Sequence, residues 1–229
     1  MKAFHEYKNP SLAVDLVVFG YHDNTLSVLL LNRKEEPFKD QWTLPGGFLQ
    51  MEETLRDTCA RILLTKLGMK EVFLEQLYTF DDLSRDPRGR VIAVGYYALI
   101  NPSKFGIVAG TMANDVKWFD VKQLPVLGFD HQQIFEAALQ RLRSKILYYP
   151  VGFELLDELF TITELHELYE CILQTKLDRR NFRRKILDAG YIVNTGTKRE
   201  GLKNRHPELY KFNKHLKKNS FHISTPEQE

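Results

Sequence analysis

Cysteine, proline and long apolar runs are all scarce in this chain. The two cysteines among its 229 residues, Cys59 and Cys171, stand in helical patterns with no CxxC pair and no Cys/His cluster nearby. A structural zinc and a disulfide framework are therefore not expected; two buried free thiols in a reducing, cytoplasmic setting are. The longest apolar stretches, such as residues 14–19 with Asp15 inside them, fall far short of the roughly 18 to 20 residues that span a bilayer. The opening MKAFHEYKNP carries no apolar core of the kind a secretory signal needs. No membrane association is expected. Nor is either charge in excess, since 32 Lys and Arg stand against 30 Asp and Glu for a net +2. At roughly 150 residues per domain, the length suggests one large domain and one small one.

What the chain does have is alternation. Residues 12–20 (LAVDLVVFG) form a β-branched apolar run, residues 22–25 read as a turn, and residues 26–31 return as a second strand. Residues 53–67 have helical spacing, with Leu55, Cys59, Ile62 or Leu63 and Leu67 able to share a face, and Gly68 stands where a left-handed cap belongs. Strand patterns follow at 73–80, 90–100 and 116–119, then a long amphipathic helix at 130–147 that Pro150 closes. The division expected is a first domain over 1–147, a second over 148–218 and a polar tail over 219–229.

From residue 150 the pattern changes. Thr161 and Glu164 have the spacing of a capping box, and Leu165, Leu168, Tyr169 and Ile172 follow as one buried helical stripe. Asp178 is positioned to cap a second helix over 179–189, ended by Gly190. Residues 191–195 and 208–212 read as short strands around a basic loop bracketed by Gly196 and Pro207. Helix, turn, helix and basic hairpin make the layout of a winged helix.

Charge is concentrated there. Between residues 176 and 218, 14 basic residues meet four acidic ones, a local excess of +10. On a wheel of about 100° per residue with Phe182 at zero, Ile186 and Ala189 fall within about 40°, and Arg180 and Arg184 lie opposite. Arg179, Arg183 and Lys185 flank them, and Leu187 fits neither face. An exposed row of guanidinium groups suits bidentate bonding to guanine and to phosphate, and Asn181 suits adenine. Lys198, Arg199, Lys203 and Arg205 are candidate contacts to phosphate or the minor groove. A charge run is often only a solvated face, but here it coincides with helix caps and a wing. Double-stranded DNA is the expected partner, with an acidic protein as the rival.

The segment from Leu44-Pro45-Gly46-Gly47 through Met69 resembles the Nudix box, G-x5-E-x7-R-E-U-x-E-E-x-G-U with U aliphatic. Gly47, Glu53, Arg61, Gly68 and Met69 keep its frame. The three further glutamates, which in Nudix hydrolases hold Mg²⁺ beside a pyrophosphate, are here Ile62, Thr65 and Lys66. Spaced i, i+3, i+4, these positions share one helical face, where three carboxylates would make a hard-cation site. Ile and Thr offer no anionic oxygen, and Lys puts a positive charge where the metal would sit. No catalytic residue, metal or cofactor is expected, and Nudix pyrophosphatase activity is the rival reading.

The resemblance extends to Trp42 and Phe48 around the glycines, to Arg85-Asp86-Pro87-Arg88-Gly89-Arg90, to Phe129-Asp130-His131 and to the 177–185 helix, in order over most of the chain. Together these motifs resemble the Nudix-related transcriptional regulators. That resemblance implies an α/β Nudix-like sandwich, a mixed sheet with helices, followed by a winged helix-turn-helix, in a homodimeric, cytoplasmic repressor. The Nudix domain would be a sensor. The degenerate box resembles the arabinose-responsive (AraR-type) branch and implies L-arabinose as effector and carbohydrate utilisation as the regulated process; an ADP-ribose sensor of NAD metabolism is the alternative. A pentose site needs hydrogen-bonding groups and an aromatic face, for which Arg33, Trp42, Arg61, Asp82, Arg90 and Tyr96 are the candidates. Trp42 equally suits core packing, and Arg61 equally suits a pair with Asp57.

Overall fold

The computed structural model describes residues 8–70, 72–105, 113–200 and 206–213. Strand β1 (Ser11–His22) and strand β2 (Thr25–Arg33) form the expected hairpin, and Asp23 and Asn24 turn it with φ of 47° and 57°. Ala13 to Tyr21 are buried without a break, so β1 is covered on both faces. Two short strands follow, β3 (Trp42–Thr43) and β4 (Gly46–Phe48), then β5 (Phe73–Phe80), β6 (Val91–Ile100) and β7 (Ala113–Asp120). The sheet runs β3-β2-β1-β6-β5, with β4 paired to β1 and β7 to β2.

The short strands escape the sequence pattern because Pro45, Gly46 and Gly47 are poor strand formers. Pairing supplies the order: β4 lies on β1, with Val14 facing Gly47 and Asp15 facing Gly46, and β3 lies on β2, with Leu31 facing Thr43. A side chain at Gly46 would bring Cβ within 2.2 Å of the Asp15 carboxylate, so only glycine fits.

Helix α1 (Leu55–Leu67) starts two residues later than the periodicity suggests, because Thr54 and Asp57 form a capping box. Gly68, at φ 68°, ends it as expected. Helix α2 (His131–Ile146) is the long amphipathic helix. Helix α3 (Ile162–Leu173) has the expected capping box, with the Thr161 hydroxyl accepting from Glu164 N–H and Glu164 accepting from Thr161 N–H at 2.8 Å. Helix α4 (Arg179–Asp188) is capped by Asp178, and strands β8 (Ile192–Lys198) and β9 (Glu208–Phe212) pair antiparallel.

By packing, the chain forms two compact units. One takes in residues up to Phe19, Ser27–Leu99 and Ser103–Ala138; the other takes in Gly20–Leu26, Ile100–Pro102 and the chain from Leu139 onward. Among the described residues, no helix is long and apolar enough to cross a membrane. Both cysteines are free, but only Cys59 is buried, with its thiol pushed up to about 12 by desolvation. Cys171 is half-buried, contrary to the expectation of two buried thiols, and its thiol donates to the Asn24 carbonyl at 3.4 Å.

Candidate functional site

In the first unit, polar side chains gather around the Gly46-Gly47 strand. Beneath it, Asp15 lies inside the apolar run of β1 at 6% exposure, a position that demands a partner. Arg85 provides it, donating to Asp15 at 2.9 Å and, through two nitrogens, to Asp130 at 2.8 Å each. Burial opposes the Arg85 charge, yet hydrogen bonds to Asp130 and the charge of Asp15 outweigh it and hold the guanidinium ionised. His131 accepts from Leu44 N–H at 2.9 Å through Nδ1. Burial pushes its pKa down, so it stays neutral. Asp15, Asp130 and His131 bring donor atoms within 4.8 Å of one another. The Arg85 guanidinium already binds both carboxylates, so this set is a closed ionic network and does not fit a metal ion.

Above the strand, the residues of the Nudix-like box do not fit one either. Ile62 is fully buried, and the Thr65 hydroxyl turns back to the Arg61 carbonyl at 2.6 Å. Glu53 is held bidentately by Arg61, at 2.5 and 2.9 Å, and accepts from the Thr58 hydroxyl. The Arg61 hydrogen bond keeps the Glu53 carboxyl down at about 2. Asp57 is not the partner of Arg61, because the Thr54 cap already engages it. Lys66 reaches across to donate to the Gly46 carbonyl. Its pKa is lowered, first by burial and then by the nearby cations Arg33 and Arg61, with Asp15 acting in the opposite sense.

Two of the six expected effector residues, Arg33 and Arg61, therefore act electrostatically on Lys66. Arg33 donates to the Pro37 carbonyl at 2.8 Å and lays its guanidinium 5.1 Å from the Phe129 ring centre. Arg88, anchored on Asp86, covers Phe48 and Phe129 at 5.2 and 5.7 Å. Asp82 and Arg90 share one exposed loop: Asp82 caps Ser84, and Arg90 donates to the Asp81 and Asp82 carbonyls. Trp42 is half-buried and packs edge-on to Phe119 at 4.7 Å. Tyr96 is 5% exposed and bonded to Gln76, which leaves it no surface to offer a ligand. Lys66, Arg88, Phe48 and Phe129 are the additions that the spacing does not single out. An acid buried in an apolar strand, Asp15, was the legible sign of the network below.

In the second unit, α3 and α4 meet through Phe182. Its ring stands edge-on to His166 and Tyr169, 5.1 Å from each. Gln174 turns left-handed at the end of α3, and Glu170 accepts from Leu177 N–H at 2.9 Å, which fixes the turn. This packing points the Phe182 and Ile186 face inward and leaves Arg179, Arg180, Arg183 and Arg184 exposed. Asn181 and Lys185 are half-exposed, and the Asn181 side chain accepts from Arg184 at 2.9 Å. Leu187 is 37% exposed, and nothing in the structure explains it. Lys198 is exposed on β8, and a recess of about 320 Å³ lies between it, Arg183, His206 and the start of α3. Arg199 departs from expectation: it binds Glu164 with both terminal nitrogens and is a strut between the hairpin and α3. Lys203 and Arg205 lie outside the described residues, as does the polar tail.

Residues 9–138 match the NUDIX domain family, and residues 152–212 match the NrtR DNA-binding winged helix domain. The chain is 34% identical over 211 residues to the ADPR responsive transcriptional repressor NtrR of Acinetobacter baylyi, covering 90% of this chain and 84% of the relative. The structure of Shewanella oneidensis NrtR complexed with a 27mer DNA is similar with a TM-score of 0.78 and 38% identity, over 88% of this chain and 93% of that one. The NUDIX domain of the same S. oneidensis protein complexed with ADP ribose gives a TM-score of 0.55 and 38% identity, over 62% of this chain and 94% of that one.

Proposed function

The chain belongs to the NrtR family, and we propose that it is a homodimeric, cytoplasmic transcriptional repressor whose NUDIX domain senses ADP-ribose and whose winged helix binds operator DNA. In this reading residues 1–147 are the sensor and 148–218 the reader. The observation that carries it is similarity to an ADPR-responsive repressor that runs through both domains.

The exposed guanidinium row of α4 supports the DNA half. Arg179, Arg180, Asn181, Arg183, Arg184 and Lys185 would enter the major groove, with Lys198, Lys203 and Arg205 on the backbone or in the minor groove. Arg199, held by Glu164, would serve the wing's position. The effector half replaces L-arabinose by ADP-ribose for a physical reason as well as a comparative one. Loss of the metal-binding acids favours a sugar only if nothing else supplies positive charge, and Lys66 supplies it at the Gly46 carbonyl, with Arg33 and the Glu53-paired Arg61 acting electrostatically on it. A neutral pentose has no use for added cationic charge. A diphosphate does. Control would follow from population shift: ADP-ribose prefers one arrangement of the dimer, and only its difference in affinity between arrangements moves the equilibrium.

The test is binding to a duplex selected from a randomised pool, followed by fluorescence anisotropy against salt. Affinity should fall steeply with salt, and Arg180→Ala and Arg184→Ala should each lose about 1–3 kcal/mol if they read bases. Unchanged affinity in both variants would transfer the basic helix to an acidic protein partner. ADP-ribose should survive incubation with the protein and Mg²⁺; turnover would make the chain a pyrophosphatase.

A further inference from the structure

We infer that the NUDIX domain of this chain binds its diphosphate ligand without a divalent metal ion, with the Lys66 ammonium standing in the metal's place. The inference rests on the ADP-ribose reading and specifies how that site works.

Three observations carry it. First, the box's three metal positions hold no carboxylate: Ile62 is core, Thr65 is bonded to its own helix and the third is Lys66 itself, while Glu53 is closed by Arg61 on one side and Thr58 on the other. Second, the Lys66 amine is anchored by the Gly46 carbonyl and, among the described residues, forms no ion pair. One donated bond leaves two further N–H groups on the ammonium. Third, its charged neighbours are Arg33 and Arg61, each already fixed by the protein, together with Asp15, whose charge Arg85 shares. A second cation brought to this position would meet like charge at close range. An anion would meet the Lys66 ammonium, anchored and partly stripped of water, with the charges of Arg33 and of the Glu53-paired Arg61 acting at the same place, the condition under which charge-assisted hydrogen bonds are strongest.

The experiment is isothermal calorimetry of ADP-ribose with the full-length protein, once in EDTA and once in excess Mg²⁺, with inorganic pyrophosphate as competitor. Equal affinity in the two buffers is expected, with pyrophosphate displacing ADP-ribose in EDTA. Lys66→Gln should weaken ADP-ribose by about tenfold or more, since a hydrogen bond to a charged group is worth roughly 1.5–3 kcal/mol. It should also blunt competition by pyrophosphate, whereas Lys66→Arg keeps both, which separates charge from packing. Binding that appears only with Mg²⁺ would overturn the metal-free site and leave the ADP-ribose reading standing. Equal binding by Lys66→Gln and wild type would overturn the role of Lys66. No ADP-ribose binding in either buffer would overturn the effector reading itself.

Discussion

Replacing Phe182 by alanine is expected to cost about 3–5 kcal/mol, the usual range for emptying a buried aromatic position, and to abolish duplex binding. Phe182 is 3% exposed and is the residue through which α4 meets both His166 and Tyr169 of α3. Helix α4 is only ten residues long, too short to persist in water without tertiary packing. Its orientation therefore depends on that ring and on Ile186. When the ring is lost, the four exposed arginines remain on the chain but no longer share a fixed surface. A loss of this size is a large fraction of the roughly 5–15 kcal/mol that stabilises a domain. Urea denaturation followed by far-ultraviolet circular dichroism reads the stability. Anisotropy reads the DNA affinity, and calorimetry with ADP-ribose should show that the NUDIX domain still binds. Retained duplex affinity would mean that α4 is positioned by something other than Phe182.

Arg85→Ala should destabilise the NUDIX domain by a similar amount, about 3–5 kcal/mol, because removing one partner of a buried ion pair leaves an uncompensated charge behind. Here it leaves two. Asp15 and Asp130 both bond to the one guanidinium, and the side chains of all three are less than a tenth exposed. The network also bears on function, since Asp15 is the cross-strand partner of Gly46, the residue whose carbonyl anchors Lys66. Arg85→Lys should recover only part of the loss, because a single ammonium cannot present the forked donors that reach both carboxylates. Denaturation midpoints of the three proteins settle the point. A loss in Arg85→Ala below about 1 kcal/mol, the worth of an exposed pair, would show that the network is a surface-like contact.

Periodicity made the long elements legible. The hairpin of β1 and β2, the helices α1 to α4 and the basic hairpin all follow from apolar spacing and cap residues, because each satisfies its backbone locally or with its sequence neighbour. The short strands β3 and β4 do not, since β3 is ordered by pairing with β2 and β4, after Pro45 and with two glycines, by pairing with β1. Side-chain partnerships are harder still. Arg85 finds Asp15 seventy positions away, and Arg199 finds Glu164 thirty-five away, distances over which spacing carries no information. Arg61 was a nearer case: Asp57 is one turn before it, but Thr54 at the cap position takes that carboxylate and leaves Glu53 as the partner. Tyr96 has the look of a cleft aromatic in sequence and is core in the fold, because β6 is covered on both faces. In the sequence Lys66 reads as an obstacle to a metal; in the fold its contact with the Gly46 carbonyl leaves two N–H groups that suit an anion.

The central claim is that one small molecule, bound in the NUDIX domain, controls DNA binding by the winged helix. Its most direct test is to form the complex of the full-length protein with its selected duplex, then titrate ADP-ribose and, separately, L-arabinose while anisotropy is recorded. The account predicts that ADP-ribose releases the duplex at concentrations matching its calorimetric affinity and that L-arabinose does nothing. Release by L-arabinose, or a complex indifferent to saturating ADP-ribose, would contradict it.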